Sequence, residues 1–199
     1  EIVVAPSARL LGASTEGCCS AAGLIRAGAD AALIGGGVLT GTPGMGILIG
    51  RSEWMKVWNE DPRVSMLQAP DAMAAMLNAA ALLACDNNLP VDRLIAASES
   101  NLQDRAERLA TQLSGIDGVT SAVVTQDSAT MPLESGKLPS RQVLVRVNTS
   151  SPAVVVERLT KGDTCLLVEP SDDGVAIDLR WVTPDQQAKV SQLFAAAIH

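Results

Sequence analysis

Two short apolar runs separated by a glycine-rich turn set the strongest limit on what this chain can fold into. Residues 30–50 read Asp-Ala-Ala-Leu-Ile-Gly-Gly-Gly-Val-Leu-Thr-Gly-Thr-Pro-Gly-Met-Gly-Ile-Leu-Ile-Gly. The pattern predicts a buried strand at Ala31–Ile34, a glycine loop at Gly35–Pro43 and a second strand at Met45–Ile49. A tight turn between two buried strands needs small residues and positive φ angles whether or not it binds a ligand.

A helix and a further strand precede this pair. Ile2–Ala5 is predicted as a strand and Cys18–Ala27 as a helix that Gly28 ends. A strand, a helix and a strand at this spacing form a parallel crossover unit. The next connection is short and has no helical pattern, so we expect Met45–Ile49 to run antiparallel to its neighbour. The predicted class is therefore α/β.

Composition supports this class and excludes several functions. Aromatic residues make up only 2% of the 199 residues, so the core is expected to consist of Ala, Val, Leu and Ile, as in helix-covered sheets. The net charge of −7 repels phosphate backbones, and no Lys/Arg cluster offsets it, so we expect no nucleic-acid binding. No apolar run reaches the roughly 18 residues of a membrane span, so we expect no membrane partner.

The cysteines and the single histidine do not have the spacing of a metal site. Cys18, Cys19, Cys85 and Cys165 form no C-x-x-C pattern, and His199 is the last residue, so we predict no metal. The single histidine also leaves no nucleophilic triad. We interpret the vicinal Cys18–Cys19 pair as small residues at the start of a packed helix in a reducing cytoplasm, with a redox switch as the alternative.

Helices fill the middle of the chain, and alternating strands follow. Predicted helices begin at the capping residue Ser52, span Ala72–Ala84 and Asp92–Leu113, and begin again at Pro152 and at the capping residue Thr183. Predicted strands lie at Val119–Thr125, Arg141–Val147, Thr164–Val168 and Val175–Leu179. Two hairpins and two helices predict a compact α+β domain at the end of the chain.

The glycine loop and two later stretches resemble one enzyme family. Asp71-Ala72-Met73 precedes an Ala/Leu-rich helix, and Asp173-Gly174 is followed by Ile177-Asp178-Leu179-Arg180. Together they resemble the bacterial selenocysteine synthase (L-seryl-tRNA selenium transferase) family of fold-type-I pyridoxal-phosphate enzymes. The resemblance implies part of an aspartate-aminotransferase-type large domain at 1–62, connecting helices at 63–117 and a small α+β C-terminal domain at 118–199.

In that family the loop reads approximately Ser-Gly-Asp/Gly-Lys-x-x-Gly-Gly-Pro-Gln, and its lysine forms the Schiff base with pyridoxal phosphate. Val38 stands at the lysine position, Ala5 at a cofactor-binding carboxylate, Ala72 at a lysine, and Glu169 near an arginine. An imine needs an amine and an electron sink. We therefore expect no catalysis and no cofactor for this chain alone, and we interpret Val38 as core packing.

Seven residues remain candidates for holding a phosphate or a cofactor. Glycines permit close backbone approach to an anion. The loop also resembles the phosphate-binding strands of (β/α)₈ barrels, but a strand returns where a barrel would place a helix. It is not a Walker A loop because no Gly-Lys-Ser/Thr follows. The candidates are Gly35, Gly36, Gly37, Thr40, Gly41, Thr42 and Arg180.

These observations favour a degenerate or truncated selenocysteine-synthase-like protein that acts in assembly or ligand binding. One alternative is a part of a pyridoxal-phosphate transferase or lyase whose lysine and cofactor site come from another segment or chain. A second alternative is a phosphate-ligand binding module at the glycine loop. Because a partial sheet leaves unpaired edges, we expect a homo-oligomer or a partner chain that completes the large domain.

Overall fold

The computed structural model describes residues 1–12, 18–126, 128–130, 137–148, 150–161, 164–172 and 174–198. The chain forms two compact units. Unit 1 comprises Glu1–Ile95 with Thr130–Leu138, and unit 2 comprises Ala96–Ala129 with Pro139–His199. Asp173 and His199, which the sequence analysis singled out, lie outside the described residues. Each unit is described by itself.

Strands and helices alternate in the first part of unit 1 and give way to helices in the second. Between residues 1 and 95 the described segments are β1 (Ile2–Ala5), α1 (Ala21–Arg26), β2 (Ala31–Gly35), β3 (Gly46–Gly50), α2 (Ser52–Glu60), α3 (Pro62–Ser65), α4 (Asp71–Cys85) and α5 (Pro90–Ile95).

The sheet of unit 1 has the order β1-β2-β3. Strands β1 and β2 are parallel, with Val4 beside Leu33. Strand β3 returns antiparallel to β2, with Leu33 beside Leu48. The parallel crossover and the antiparallel return predicted from the sequence are both confirmed, and so is the α/β class.

One face of this sheet is buried and the other is exposed. Side chains alternate between the two faces of a strand, and Ala32, Ile34 and Ile47 lie on the buried face. On the opposite face, Val4 is 64% exposed, and its neighbour Leu33 is also exposed. Unit 1 therefore presents an apolar sheet surface to its surroundings.

Two predicted helix starts in unit 1 are wrong. Helix α1 begins at Ala21 rather than Cys18, because the Ser20 hydroxyl caps it by accepting from the Gly23 N–H at 3.0 Å. Cys18 and Cys19 therefore precede the helix. Ser52 is the first residue of α2 rather than its cap, and the cap position is held by Arg51 without a side-chain hydrogen bond.

Unit 2 is built around a four-stranded antiparallel sheet of order β4-β7-β9-β8. A two-stranded pairing of β5 with β6 lies at the boundary between the units in the sequence. From residue 96 onwards the elements, in chain order, are α6 (Glu99–Ser114), β4 (Val119–Thr125), β5 (Ser128–Thr130), β6 (Lys137–Pro139), β7 (Gln142–Val147), α7 (Pro152–Thr160), β8 (Glu169–Ser171), β9 (Gly174–Asp178), a 3₁₀ turn (Leu179–Trp181) and α8 (Gln187–Ile198).

Unit 2 contains a continuous hydrophobic core. Alternating valines of β7, Val143 and Val145, are fully buried, and so are Leu102 and Leu109 on one stripe of α6. Phe194 of α8 is also fully buried in this core. Burying each such side chain contributes about 1.5–3 kcal/mol, so unit 2 has the packed interior of an independent domain.

Three sequence predictions in this part of the chain are corrected. The helix predicted over Asp92–Leu113 is two helices, because Ser98 caps α6 by accepting from the Asn101 N–H at 3.3 Å. Residues 164–168 do not form the predicted strand; the edge strand is Glu169–Ser171. The last helix begins at Gln187, because residues 184–186 form a turn.

Candidate functional site

The glycine loop connects β2 to β3 and is closed by backbone hydrogen bonds at its base. The Gly35 N–H donates to the Pro6 carbonyl at 3.1 Å, and the Gly36 N–H donates to the Met45 carbonyl at 2.6 Å. A Cβ at position 36 would lie 2.4 Å from the Pro43 oxygen, so only glycine fits there. Glycine is needed at position 36 because the backbone of Pro43 passes close to it.

The Thr40 hydroxyl holds the centre of the loop. It accepts from the Gly37 N–H at 2.9 Å and lies 2.8 Å from the Thr42 hydroxyl oxygen. The backbone N–H groups of Thr40 and Thr42 both donate to the Gly37 carbonyl at 3.2 Å. Both threonine side chains are buried. The backbone N–H groups of Gly37, Thr40 and Thr42 are therefore engaged inside the loop.

Val38 and Gly41 complete the turn. The Gly41 N–H donates to the Val38 carbonyl at 3.3 Å. Gly41 has a φ of +67°, which favours glycine. The Val38 side chain is 57% exposed, so its interpretation as core packing is wrong. The structure thus brings the six loop candidates together around a turn that projects Val38 outwards.

The four lysines of the sequence all lie outside the glycine loop. Val38, which the resemblance places at the family's lysine position, carries an aliphatic side chain. Lys56 is exposed on α2 of unit 1. Lys161 and Lys189 are exposed residues of unit 2, where Lys161 pairs with Glu157. The side chain of Lys137 lies outside the described part of the chain.

The other matching positions also lack the required groups. Ala5 ends β1 and has no carboxylate for a ring nitrogen, and Ala72 is exposed in the first turn of α4. Glu169 lies in unit 2 on an open groove of about 380 Å³, where Asp172 adds a second carboxylate and none of the lining residues is basic. The residues at these positions therefore do not fit the roles that the resemblance assigns to them in holding pyridoxal phosphate.

A partly buried charged pair that the sequence analysis missed joins the segment after β1 to α5. The buried Arg9 guanidinium donates at 3.0 Å to the carboxylate of Asp92, which is partly exposed. The backbone of Arg9 also pairs with the segment before α1, because its N–H donates to the Cys19 carbonyl at 2.9 Å. The available signal was an arginine four residues after a predicted strand.

Cys18 lies beside this pair as a buried thiol. Burial raises the pKa of the Cys18 thiol, and the nearby Arg9 guanidinium opposes part of that increase. All four cysteines are present as thiols. A buried thiol with a raised pKa is a weak nucleophile, so this cluster serves to hold the loops together.

Arg180, the seventh candidate, belongs to unit 2 rather than to the unit of the glycine loop. Its guanidinium is buried and donates to the Ala97 carbonyl at 2.8 Å and to the Pro139 carbonyl. Its backbone N–H donates to Asp178, whose carboxylate also accepts from the Ser140 hydroxyl. Burial lowers the pKa of Arg180 and raises the pKa of Asp178. These contacts link the end of β9 to the segments before α6 and β7.

Two kinds of site do not occur in the described residues. No three His, Cys, Asp or Glu side chains of those residues come together as a metal ion would require. None of the described helices is both long and apolar enough to cross a membrane.

Comparison with known families gives a match over most of the chain. The model of the L-seryl-tRNA selenium transferase family matches residues 14–183. An L-seryl-tRNA(Sec) selenium transferase of Alkaliphilus metalliredigens is 23% identical over 168 residues, which are 79% of this chain and 36% of the relative. The corresponding protein of Nitratidesulfovibrio vulgaris is 26% identical over 185 residues, 88% of this chain and 39% of the relative. The chain thus spans less than two-fifths of these relatives.

Among solved structures, an ornithine aminotransferase from Toxoplasma gondii is similar at 17% sequence identity. The alignment covers 85% of this chain and 36% of the aminotransferase, with a TM-score of 0.34.

Proposed function

Because this chain belongs to the L-seryl-tRNA selenium transferase family, we propose that it is a non-catalytic member that acts in assembly. The family predicted from the sequence is thereby confirmed. In this proposal, unit 1 corresponds to the end of a fold-type-I large domain, and further polypeptide covers its exposed surface in the cytoplasm. Unit 2 corresponds to the small C-terminal domain.

The observation that carries the proposal is the unequal packing of the two units. Of the fourteen exposed large hydrophobic side chains among the described residues, eleven lie within Glu1–Ile95. The continuous hydrophobic core lies entirely in unit 2. Exposed apolar patches of this kind mark protein interaction sites in soluble proteins. Unit 1 therefore has the surface of a domain that binds more protein.

The site chemistry supports the non-catalytic part of the proposal. Val38 provides no amine and Ala5 provides no carboxylate. The six candidate amides of the glycine loop already donate to acceptors of the polypeptide. The alternative, in which lysine and cofactor site come from another segment, differs in one result. It is favoured if the loop of this chain still contributes contacts to a cofactor site, which an amine introduced at the loop would reveal.

Val38→Lys tests this difference, with Val57→Lys as the matched control. Val38 is 57% exposed and Val57 on α2 is 59% exposed, so a lysine fits at either position at a cost below about 0.5 kcal/mol. Each variant is mixed with pyridoxal phosphate and scanned near 420 nm, about where an imine absorbs. We expect equal, weak, borohydride-reducible bands from both variants.

Two results would count against the non-catalytic assignment. A stoichiometric band in the wild-type chain that borohydride abolishes would show a working cofactor site. A stoichiometric band in Val38→Lys but not in Val57→Lys would show that the loop still binds the cofactor and lacks only the amine. Either result would favour the split-enzyme alternative.

The assembly role has a separate test. A hydrophobic dye such as anilinonaphthalene sulfonate is added at increasing protein concentration, and sedimentation is measured in parallel. We expect either dye binding by the monomer or self-association that covers the surface. A chain that stays monomeric and binds no dye has no free apolar surface, and the assembly role would then be abandoned.

A further inference from the structure

Arg105 of α6 is a buried cation whose hydrogen-bond partners are neutral. The residue is only 4% exposed. Its Nη2 donates to the Val182 carbonyl, and its Nε donates to the side-chain oxygen of Gln187 at 3.3 Å. Arg105 forms no ion pair with any carboxylate of the described residues. A buried charge without an opposite charge beside it is costly for the folded protein.

One nitrogen of the Arg105 guanidinium remains available for a further acceptor. A guanidinium presents its N–H donors in a fixed fork, and each of the two Nη atoms carries a pair of them. Nη1 has no acceptor among the residues that the structure describes. Nη1 is also not one of the fully buried side-chain atoms that lack a partner, so it is accessible from the surface. An incoming acceptor can therefore reach Nη1 without displacing the bonds to Val182 and Gln187.

Arg108 places a second positive charge one turn further along α6. Residues three apart on a helix are neighbours on its surface. The Arg108 side chain is exposed and has no ion pair or hydrogen bond within the described part of the chain. Burial lowers the pKa of Arg105, and the charge of Arg108 lowers it further. The two guanidinium groups therefore repel each other, and an anion bound by both would offset that repulsion.

The acidic residues next to the two arginines in the sequence do not pair with them. Glu107 has another partner, because its carboxylate accepts from the Gln103 side chain at 2.7 Å. Asp104 is exposed and, among the residues with described positions, forms no ion pair with either arginine. The two guanidinium groups are therefore open to an anionic ligand.

We propose that Arg105 and Arg108 bind one phosphate group, either as the free ion or as part of a small molecule. Arg105 donates from Nη1 on the protein side, and Arg108 binds the same group from the solvent side. A phosphate group carries a charge of about −1.5 to −2 near pH 7, which balances two arginines, whereas a carboxylate balances only one. Guanidinium groups also match the geometry of phosphate oxygens. This site consists of unit 2 residues alone and goes beyond the proposed assembly function.

A titration of the ¹⁵N-labelled full chain with inorganic phosphate, followed by NMR, measures the binding. Ionic strength is kept constant with NaCl. Because Arg108 is exposed and solvent screens its charge, we expect a dissociation constant on the order of 1 mM. The saturable shifts should centre on the amides of Arg105 and Arg108 and on the side-chain amide of Gln187. A parallel titration with glycerol phosphate distinguishes the sources: tighter binding than phosphate favours a phosphorylated small molecule, and weaker binding favours the free ion.

Arg108→Gln tests the site, with Arg158→Gln as the matched control. Both arginines are exposed on helices of unit 2. Arg158 donates to the Ala197 carbonyl, and Ala197 lies ten residues beyond Gln187 on α8, a distance of about 15 Å. We expect Arg108→Gln to bind phosphate at least about tenfold more weakly than the wild type, and Arg158→Gln to bind it equally.

Circular dichroism should be unchanged in Arg108→Gln, because the replaced side chain is exposed. The proposal is overturned if about 50 mM phosphate, well above the expected dissociation constant, gives no saturable shift at these positions, or if Arg108→Gln binds like the wild type. Acetate checks the class of ligand, and we expect it to bind at least about tenfold more weakly than phosphate. Equal binding of acetate would overturn the assignment to phosphate.

Discussion

Replacing Thr40 with valine is expected to loosen the glycine loop, although the side chain at position 40 keeps almost the same shape. Valine has the size of threonine but no hydroxyl. The Thr40 hydroxyl is fully buried, accepts from the Gly37 N–H at 2.9 Å and lies 2.8 Å from the Thr42 hydroxyl oxygen. The variant therefore removes the acceptor on which the centre of the loop depends.

The size of the effect follows from these contacts. Leaving the partly buried Gly37 N–H without an acceptor costs about 1–3 kcal/mol, and losing the bond to Thr42 costs about 1 kcal/mol more. Thr42 keeps a second acceptor, the Pro43 carbonyl at 3.2 Å. We therefore expect a loss of about 2–4 kcal/mol in the free energy that keeps the loop closed.

Native-state hydrogen exchange measures this free energy directly at the Gly37 amide. Since about 1.4 kcal/mol corresponds to a factor of ten, the Gly37 amide of Thr40→Val should exchange at least about 30-fold faster than in the wild type. Thr40→Ser is the matched control, because it keeps the hydroxyl and loses only one methyl group. Its exchange rate should stay within about tenfold of the wild type, since one methylene is worth about 0.8 kcal/mol.

An unchanged Gly37 exchange rate in Thr40→Val would refute the reasoning, because the loop would then be kept closed by contacts other than those of the Thr40 hydroxyl. A phosphate ester that slowed this exchange in the wild type would likewise show that the loop binds an anion despite its internal hydrogen bonds.

Two predictions concern unit 2. In Gly174→Ala the new Cβ would lie 2.3 Å from the Val145 oxygen, so we expect the free energy of unfolding in urea to fall by about 1–3 kcal/mol. In the control Gly115→Ala the nearest atom is 3.5 Å away and φ is −85°, so we expect the free energy of unfolding to rise by about 0.4–1 kcal/mol. Equal effects of the two variants would contradict this geometry. Burial raises the pKa of Asp178 above its ordinary value of 3.8. The stability from this group is therefore present below that value and is lost as pH rises through the native pKa, so Asp178→Asn should gain stability relative to the wild type between pH 3 and pH 7, and a constant difference would contradict this.

Local sequence signals predicted the sheet of unit 1 well. The parallel pairing of β1 with β2 and the antiparallel pairing of β2 with β3 were predicted from the length and pattern of the connections between them. Both can be read from a short stretch of sequence. The C′ glycine of α1 was also predicted, and Gly28 has the expected positive φ of +113°. The break between α5 and α6 was missed because apolar residues continue at helical spacing across it, although Ser98 carried a capping signal.

Features that depend on distant residues were not predictable. Val38 and Leu39 are adjacent apolar residues of one loop, yet Val38 is exposed and Leu39 is buried. Which of the two points inwards is decided by the closing of the turn, not by the composition. Likewise, the apolar segment at 164–168 has strand-like residues, but its Leu166 N–H bonds to the Leu159 carbonyl at 2.8 Å instead of a neighbouring strand.

Under the proposed non-catalytic function, the glycine loop of unit 1 closes through its own hydrogen bonds, without a prosthetic group. In many cofactor enzymes the apoprotein is less stable, because a ligand that binds only the native state stabilises it. Here the Gly37 and Thr40 contacts are formed by the polypeptide alone. The yield of this protein should accordingly be the same from cells grown with or without vitamin B6. Its abundance would follow gene expression rather than nutrition.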